Sequence, residues 1–360
     1  MGGPPSRAST PRWRSRTNVT FATEASAPAR ARLRVAVLYG GQSGEHEVSL
    51  MSAGSIMENL DESRFDVWPI YIDRAGKWSV PMEDLRAADV AFPVLHGPMG
   101  EDGTVQGFLK LIGVPFVGAS VVGSAVGMDK SVFKDVMRAR GLPIAPYLTV
   151  TRREWRNSPD DVMRRSAEAI GYPCFVKPAN MGSSVGISKA HSEAELGPAL
   201  VEAFKWDRKA LIEWAVPKAR ELEVSVLGND RMEVSVVGEI RPSREFYDYD
   251  SKYLDKGESA SRLFIPAPIP EGLSTLIREV AIDVAAAVEA RGLARIDFLL
   301  DGSARGETLT AGEVYVGEIN TMPGFTQISM YPKLWAASGL EYGDLLTRLI
   351  ELALEDARDA

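Results

Sequence analysis

Arg295, Asp297, Glu318 and Asn320 stand in two otherwise apolar runs, ARIDFLL and EVYVGEIN. In an extended chain, residues two apart face the same side. Arg295 and Asp297 therefore share one face and Ile296 and Phe298 the other, while Glu318 and Asn320 share a face with Ile319 opposite. If the two strands are neighbours, two carboxylates, an amide oxygen and a guanidinium converge on one small surface. A few hard oxygen donors suit Mg2+, which keeps waters and substrate phosphates in its remaining positions. The plainer alternative is a pair of salt bridges on a solvated sheet face. Either strand alone fits that alternative; the two together favour a metal site.

A second candidate is KPANMGSSVG, Lys177 to Gly186. Here a lysine ends a strand, and a short Gly/Ser loop offers backbone N–H groups and hydroxyls to an anion. Lys177 precedes the glycines, so this is not the Walker arrangement, and an ordinary hairpin would read the same way. Lys130, opening a helix after GMD, could be a second phosphate contact or a solvated surface lysine. A third set is GGQSGEHEVS with LHGPMGEDGTVQG, which puts Glu45 and His96 at the carboxyl ends of two strands. A carboxylate there could hold an ammonium group, and an imidazole could orient it or serve as a structural hydrogen-bonder. The chain has three histidines, His46, His96 and His191, none paired at metal-binding spacing, which argues against a zinc hydrolase. Ser183 and Ser184 lack the G-x-S-x-G elbow of a serine hydrolase. Finally, EFYDYDSKY sets Phe246, Tyr247, Tyr249 and Tyr253 among charges, either as a hydrophobic anchor or as a lid that excludes water.

The elements that must position these groups follow from periodicity. LRVAVLYGG is a continuous apolar run suited to a strand buried on both faces, and a helix is expected from about Val48 to Leu60. FDVWPIYID and VAFPVLHG read as further strands, with a helix from about Thr104. Strands alternating with helices predict a mostly parallel sheet whose sites lie at the carboxyl ends of its strands. Next come a helix at Lys130–Arg140, a strand at YPCFVKP, a helix near Ala194–Phe204 and a strand at LIEWAV. Strands at LEVSVLG and MEVSVVGEI, a helix near Ser274–Arg291, the two metal-candidate strands and a C-terminal helix complete the chain.

With 360 residues the chain exceeds one domain of roughly 100–200. We divide it at 33–129, 130–217 and 218–360, with a polar aromatic loop at about 241–262 in the last unit. A net charge of −8 argues against nucleic acid as the main partner. The lone Cys174 excludes an intrachain disulfide and a cysteine zinc cluster, and fits a reducing compartment. No apolar run reaches the roughly 18 residues of a membrane span, so a cytoplasmic protein is expected. Residues 1–32 carry Arg7, Arg12, Arg14, Arg16, Arg30 and Arg32 against Glu24, without an apolar signal region. They read as a disordered extension or as a start codon placed too early, although the composition also matches an organellar transit peptide.

Four motifs in order, GGxSxEHEVS, LHGxxGEDGxxQG, KPAN-x-GSSVG and RIDF…EIN-x-xPG, resemble the ATP-grasp superfamily and, within it, the D-alanine–D-alanine ligases. The likeness runs from about Leu33 to the C-terminus. It implies an α/β, overall α+β, fold in which a parallel-sheet N-terminal domain precedes a two-domain ATP clamp. By resemblance, Lys130 and Lys177 bind the phosphates and Ser184 lies in the loop over them. Glu213 contacts adenine, with Trp214 and Val216 supplying backbone contacts, Glu221 binds the ribose, and Phe246 and Lys252 also border the nucleotide. Asp297, Glu318 and Asn320 match the ligands of two Mg2+ ions, which Mn2+ can replace. Glu45, with His96, matches the holder of the first D-alanine's ammonium, and Glu45, Ser183 and Tyr253 match a hydrogen-bonded triad. Arg295 and the Gly324 N–H match the oxyanion donors; Ser329 and Met330 line the second D-alanine's pocket, and Lys252 and Tyr253 stand in the lid.

The implied activity is ATP-dependent, ADP-forming ligation of two D-alanines through a D-alanyl phosphate, for peptidoglycan precursors, by a homodimer. The lid segment lacks the histidine of D-lactate-forming relatives. Met330 departs from the leucine more usual among dipeptide ligases, which leaves a D-serine acceptor open. An inactive ATP-binding regulatory protein would be signalled by loss of a metal ligand or of Arg295, and neither is lost.

Overall fold

The structure, a computed structural model, describes residues 32–241, 261–303, 313–326 and 328–359. Leu33–Gly40 forms β1, and its run Val35 to Leu38 is fully buried. Its two faces enter different cores, Val35 and Val37 in one and Ala36 and Leu38 in the other, which is why the run is apolar without alternation. After β1 come α1 (His46–Asn59), β2 (Phe65–Ile72) and β3 (Val90–Val94). Among the described residues these strands form a parallel sheet in the order β2-β1-β3. Two helices follow, α2 (Thr104–Ile112) and α3 (Val121–Met128).

The next helix, α4 (Lys130–Ala139), starts where the Asp129 carboxylate accepts the N–H groups of Ser131 and Val132, each at 3.1 Å. Beyond it lie β4 (Tyr147–Thr151), α5 (Arg152–Asn157), α6 (Pro159–Ala169), β5 (Cys174–Pro178), β6 (Ser188–Ala190), α7 (Glu193–Trp206) and β7 (Lys209–Trp214). The strands pair antiparallel in the order β4-β7-β5-β6. Leu196, Leu200 and Ala203 of α7 close the core beneath this sheet.

The third sheet uses β8 (Arg220–Gly228), β9 (Met232–Val234), β10 (Gly238–Arg241), β11 (Arg262–Phe264), β12 (Gly292–Leu300) and β13 (Val314–Asn320). Its order among the described residues is β11-β10-β8-β12-β13, with β9 paired to β8. Between β11 and β12, α8 (Glu271–Ala287) packs Ile277, Ala281 and Val284 against Val224, Ile296 and Phe298. The chain ends in α9 (Met330–Ala337) and α10 (Tyr342–Asp359).

The expected class holds, with a parallel first sheet and antiparallel second and third sheets. Two local expectations are corrected. MEVSVVGEI is two strands, not one. Between them the Ser235 N–H still donates to the Ser225 carbonyl at 2.9 Å, but the Val236 N–H turns to the Ser338 hydroxyl at 2.9 Å and the Ser225 N–H to the Ser235 hydroxyl at 3.0 Å, so side chains take two of the bonds there. The single C-terminal helix is likewise two, separated at Gly339, whose φ of +93° cannot continue a helix. Leu345, Leu349 and Ile350 of α10 then pack with Val35 and Phe92 of the first sheet.

Candidate active site

β12 and β13 are neighbours. Their antiparallel register sets Arg295 opposite Asn320 and Asp297 opposite Glu318, then slips so that Phe298 faces Val316. The slip leaves out Gly317, where an added Cβ would lie 3.0 Å from the Asp297 carbonyl oxygen. Arg295 forks onto Asp297 with two bonds of 2.7 Å, and its Nε is 3.1 Å from Glu223 Oε2 on β8. Burial works against this cation, but Asp297 and Glu223 hold its pKa well above the usual arginine value. Asn320 Nδ2 donates to Asp297 Oδ2 at 3.1 Å. The described residues contain no cage of three or more His, Cys, Asp or Glu side chains. Two carboxylates beside an amide nevertheless fit Mg2+, whose shell is otherwise made by water and phosphate. Rotating the Asn320 amide presents its oxygen to the same place.

The cationic end is built from α4 and β5. Lys130 donates to the Met181 carbonyl at 2.8 Å and lies 3.4 Å from Glu318. Lys177 is 2.5 Å from Glu213 Oε2, and Lys134 is 2.5 Å from Glu213 Oε1. Burial would raise the Glu213 carboxyl, but Lys134 and Lys177 reverse that and bring it down to about 2. Lys177 and Lys134 both meet the opposing pull of burial; Lys177 nonetheless ends raised, whereas Lys134 ends lowered. Ser183 and Ser184 adopt φ of +46° and +61°, a left-handed pair that costs energy outside glycine and is kept at functional loops.

Glu45 precedes α1 and reaches across to this loop, where the Ser183 hydroxyl donates to its Oε1. Two glycines make room: a Cβ at Gly97 would sit 2.6 Å, and at Gly182 2.5 Å, from Glu45 Oε2. His96 is buried, with Nδ1 3.1 Å from the Met322 carbonyl and Nε2 3.2 Å from Ser52 Oγ. The carbonyl can only accept, so Nδ1 carries the proton and Ser52 donates to Nε2. Ser52 Oγ in turn accepts the Phe325 N–H at 3.2 Å. His96 and Ser52 thus pin the Met322–Phe325 loop around Gly324, and burial lowers the His96 pKa. Glu101 accepts the Gly97 N–H at 2.7 Å, and burial together with Glu45 pushes its carboxyl up to about 8.

These groups line one cavity of about 570 Å³. Of the residues singled out in the sequence, Glu45, His96, Lys130, Lys177, Ser183, Ser184, Glu213, Val216, Glu221, Arg295, Asp297, Glu318, Asn320, Gly324, Ser329 and Met330 all border it. The Trp214 side chain does not. It packs edge-on against Tyr315 at 5.9 Å, leaving only its backbone for the expected contact. Phe246, Lys252 and Tyr253, with most of the 241–262 loop, lie outside the described residues. Sequence reasoning missed Lys134, Glu101 and Glu223, and the apolar wall of Phe175, Ile187, Leu211 and Phe298. One signal was available for Lys134: it falls between Phe133 and Met137 on the buried stripe of α4.

Comparison with known proteins places the chain in a family. Family models described as the D-ala D-ala ligase N-terminus match residues 34–88 and 79–119, and the D-ala D-ala ligase C-terminus matches 136–351. A D-alanine–D-alanine ligase of Heliobacterium modesticaldum is 48% identical over 90% of this chain and 95% of its own length. That of Deinococcus radiodurans is 47% identical over 90% and 99%. Among solved structures, the D-alanine-D-alanine ligase from Coxiella burnetii is 33% identical with a TM-score of 0.78, covering 92% of this chain and 96% of that one.

Proposed function

The chain belongs to the D-alanine–D-alanine ligase family, and we propose that it joins two D-alanines with conversion of ATP to ADP and phosphate. The observation that carries this reading is the single cavity in which an ammonium-binding carboxylate, Glu45, faces two lysines and the Arg295–Asp297 cluster. A carboxylate is a poor electrophile, so the first D-alanine is activated by taking the γ-phosphoryl group of ATP. Glu45 holds its ammonium, and Lys130 and Lys177 offset phosphate charge as the group passes, which is catalysis by position and field. Glu221 binds the ribose, and Glu213 and the backbone from Trp214 to Val216 bind adenine against the apolar wall. Mg2+, held by Asp297, Glu318 and Asn320, supplies charge neutralisation and in-line orientation of the phosphates when bound.

The amino group of the second D-alanine, held beside Ser329 and Met330, loses a proton from its ammonium form and then attacks the acyl phosphate. Arg295 and the Gly324 N–H carry the oxyanion, whose collapse expels phosphate and leaves the peptide bond. His96 keeps the Gly324 loop in place. Support for the clamp comes from the three sheets, one in each of 33–129, 130–217 and 218–360. A homodimer working in the cytoplasm on peptidoglycan precursors completes the reading; no helix among the described residues is long and apolar enough to cross a membrane.

The test follows oxygen. D-alanine labelled with oxygen-18 in its carboxylate should give phosphate carrying one labelled atom from the first substrate. Unlabelled phosphate alongside dipeptide would contradict an acyl phosphate route.

A further inference from the structure

Glu213 is clasped by two lysines. Lys134 Nζ and Lys177 Nζ each lie 2.5 Å from a different oxygen of its carboxylate. The two lysines are not equivalent. The Lys134 side chain is 2% exposed and is fixed at a second point, the Val316 carbonyl on β13, at 2.9 Å. The Lys177 side chain is 18% exposed, at the end of β5 beside the Gly/Ser loop. We propose that Lys134 is a positioning residue, the standing counter-ion of Glu213, which lets Lys177 leave that carboxylate for the phosphates of a nucleotide. This deepens the reading above and rests on its assignment of Lys177 to the phosphates.

The physical reason is the asymmetry of buried ion pairs. Breaking such a pair by withdrawing one partner is costly because a bare charge is left in a medium that solvates it poorly. With Lys134 in place, Lys177 exchanges one anion for another and Glu213 stays paired. Without Lys134, Lys177 is the one cation left on the carboxylate among the described residues and is held back from the nucleotide. Binding then weakens at the phosphates and not at the base, although Lys134 touches neither in this account.

Calorimetry with ADP plus Mg2+, and with adenosine by displacement, tests this without turnover. Lys177→Met should weaken ADP by roughly tenfold or more, the loss of a charged hydrogen bond, and leave adenosine within roughly twofold. Lys134→Met should reproduce that split. The decisive comparison is between Glu213→Gln and the double variant Lys134→Met with Glu213→Gln, which buries no lone carboxylate. Once the carboxylate is neutral, Lys134 has no Glu213 charge to compensate, so both should bind ADP alike. A double variant that binds ADP markedly worse than Glu213→Gln would overturn the proposal. So would equal losses for ADP and adenosine in Lys134→Met. If Lys177→Met leaves ADP affinity unchanged, the phosphate assignment fails, and this inference fails with it.

Discussion

Arg295→Ala separates the electrostatic role of this arginine from its catalytic one. The guanidinium makes two bonds of 2.7 Å to Asp297 and lies 3.1 Å from Glu223, with the Glu318 charge also acting on it. Its removal takes the guanidinium away from Asp297 and Glu223, while Glu318 keeps Lys130 at 3.4 Å. Withdrawing one partner from a buried pair costs about 3–5 kcal/mol. The side chains of Arg295 and Asp297 are 17% and 22% exposed, so solvent screening brings the expected loss to roughly 2–3 kcal/mol. Mg2+ should restore part of the melting temperature in Arg295→Ala and shift the wild type less, because a divalent ion can take over the positive charge that the guanidinium supplied. Dipeptide formation should fall by about 10²–10³-fold from the lost oxyanion donor. Arg295→Lys should regain stability more than rate, since an ammonium keeps the charge and loses the fork. Thermal melts with and without Mg2+, beside chromatographic assay of the dipeptide, read both effects. Arg295→Ala with wild-type-like ligation would refute the catalytic assignment. Unchanged melting in the absence of metal would refute the electrostatic one.

Ser183→Ala removes the hydroxyl that ties the phosphate loop to Glu45; D-alanine turnover should fall roughly 10- to 100-fold, matching a charge-assisted hydrogen bond, and steady-state kinetics that match the wild type would count against the link. Glu213 has a folded pKa of about 2 against an ordinary 4.5. A depressed carboxyl stabilises the fold fully above the higher value and loses that contribution as pH falls from 4.5 towards 2, at up to about 1.4 kcal/mol per pH unit. Acid unfolding of Glu213→Gln should therefore be shallower across that window; coincident curves would show that Glu213 does not set it.

The site's polar face was legible because strand geometry allows a short-range inference. Arg295, Asp297, Glu318 and Asn320 alternate at a period of two, and pairing of neighbouring strands brings them together without any further information. Glu45 and His96 were legible as chain positions at strand ends, but the partners of His96 were not. Ser52 and Met322 lie 44 and 226 residues away, and no local pattern reports such contacts. Lys134 was hidden because a lysine one turn beyond Lys130 reads as solvated surface, whereas its partner Glu213 arrives from a strand of another layer. The break between β9 and β10 escaped for a related reason: the Ser338 hydroxyl that takes the Val236 N–H is 102 residues away.

The most direct test of the central claim is ATP-dependent phosphate release with Mg2+, comparing D-alanine, L-alanine, D-serine, D-lactate and no amino acid, with the product identified by mass spectrometry. The account predicts release with D-alanine alone, none with L-alanine, and D-alanyl-D-alanine formed mole for mole with phosphate. Folded protein that binds ATP yet releases no phosphate with D-alanine, or releases it without forming the dipeptide, would contradict it.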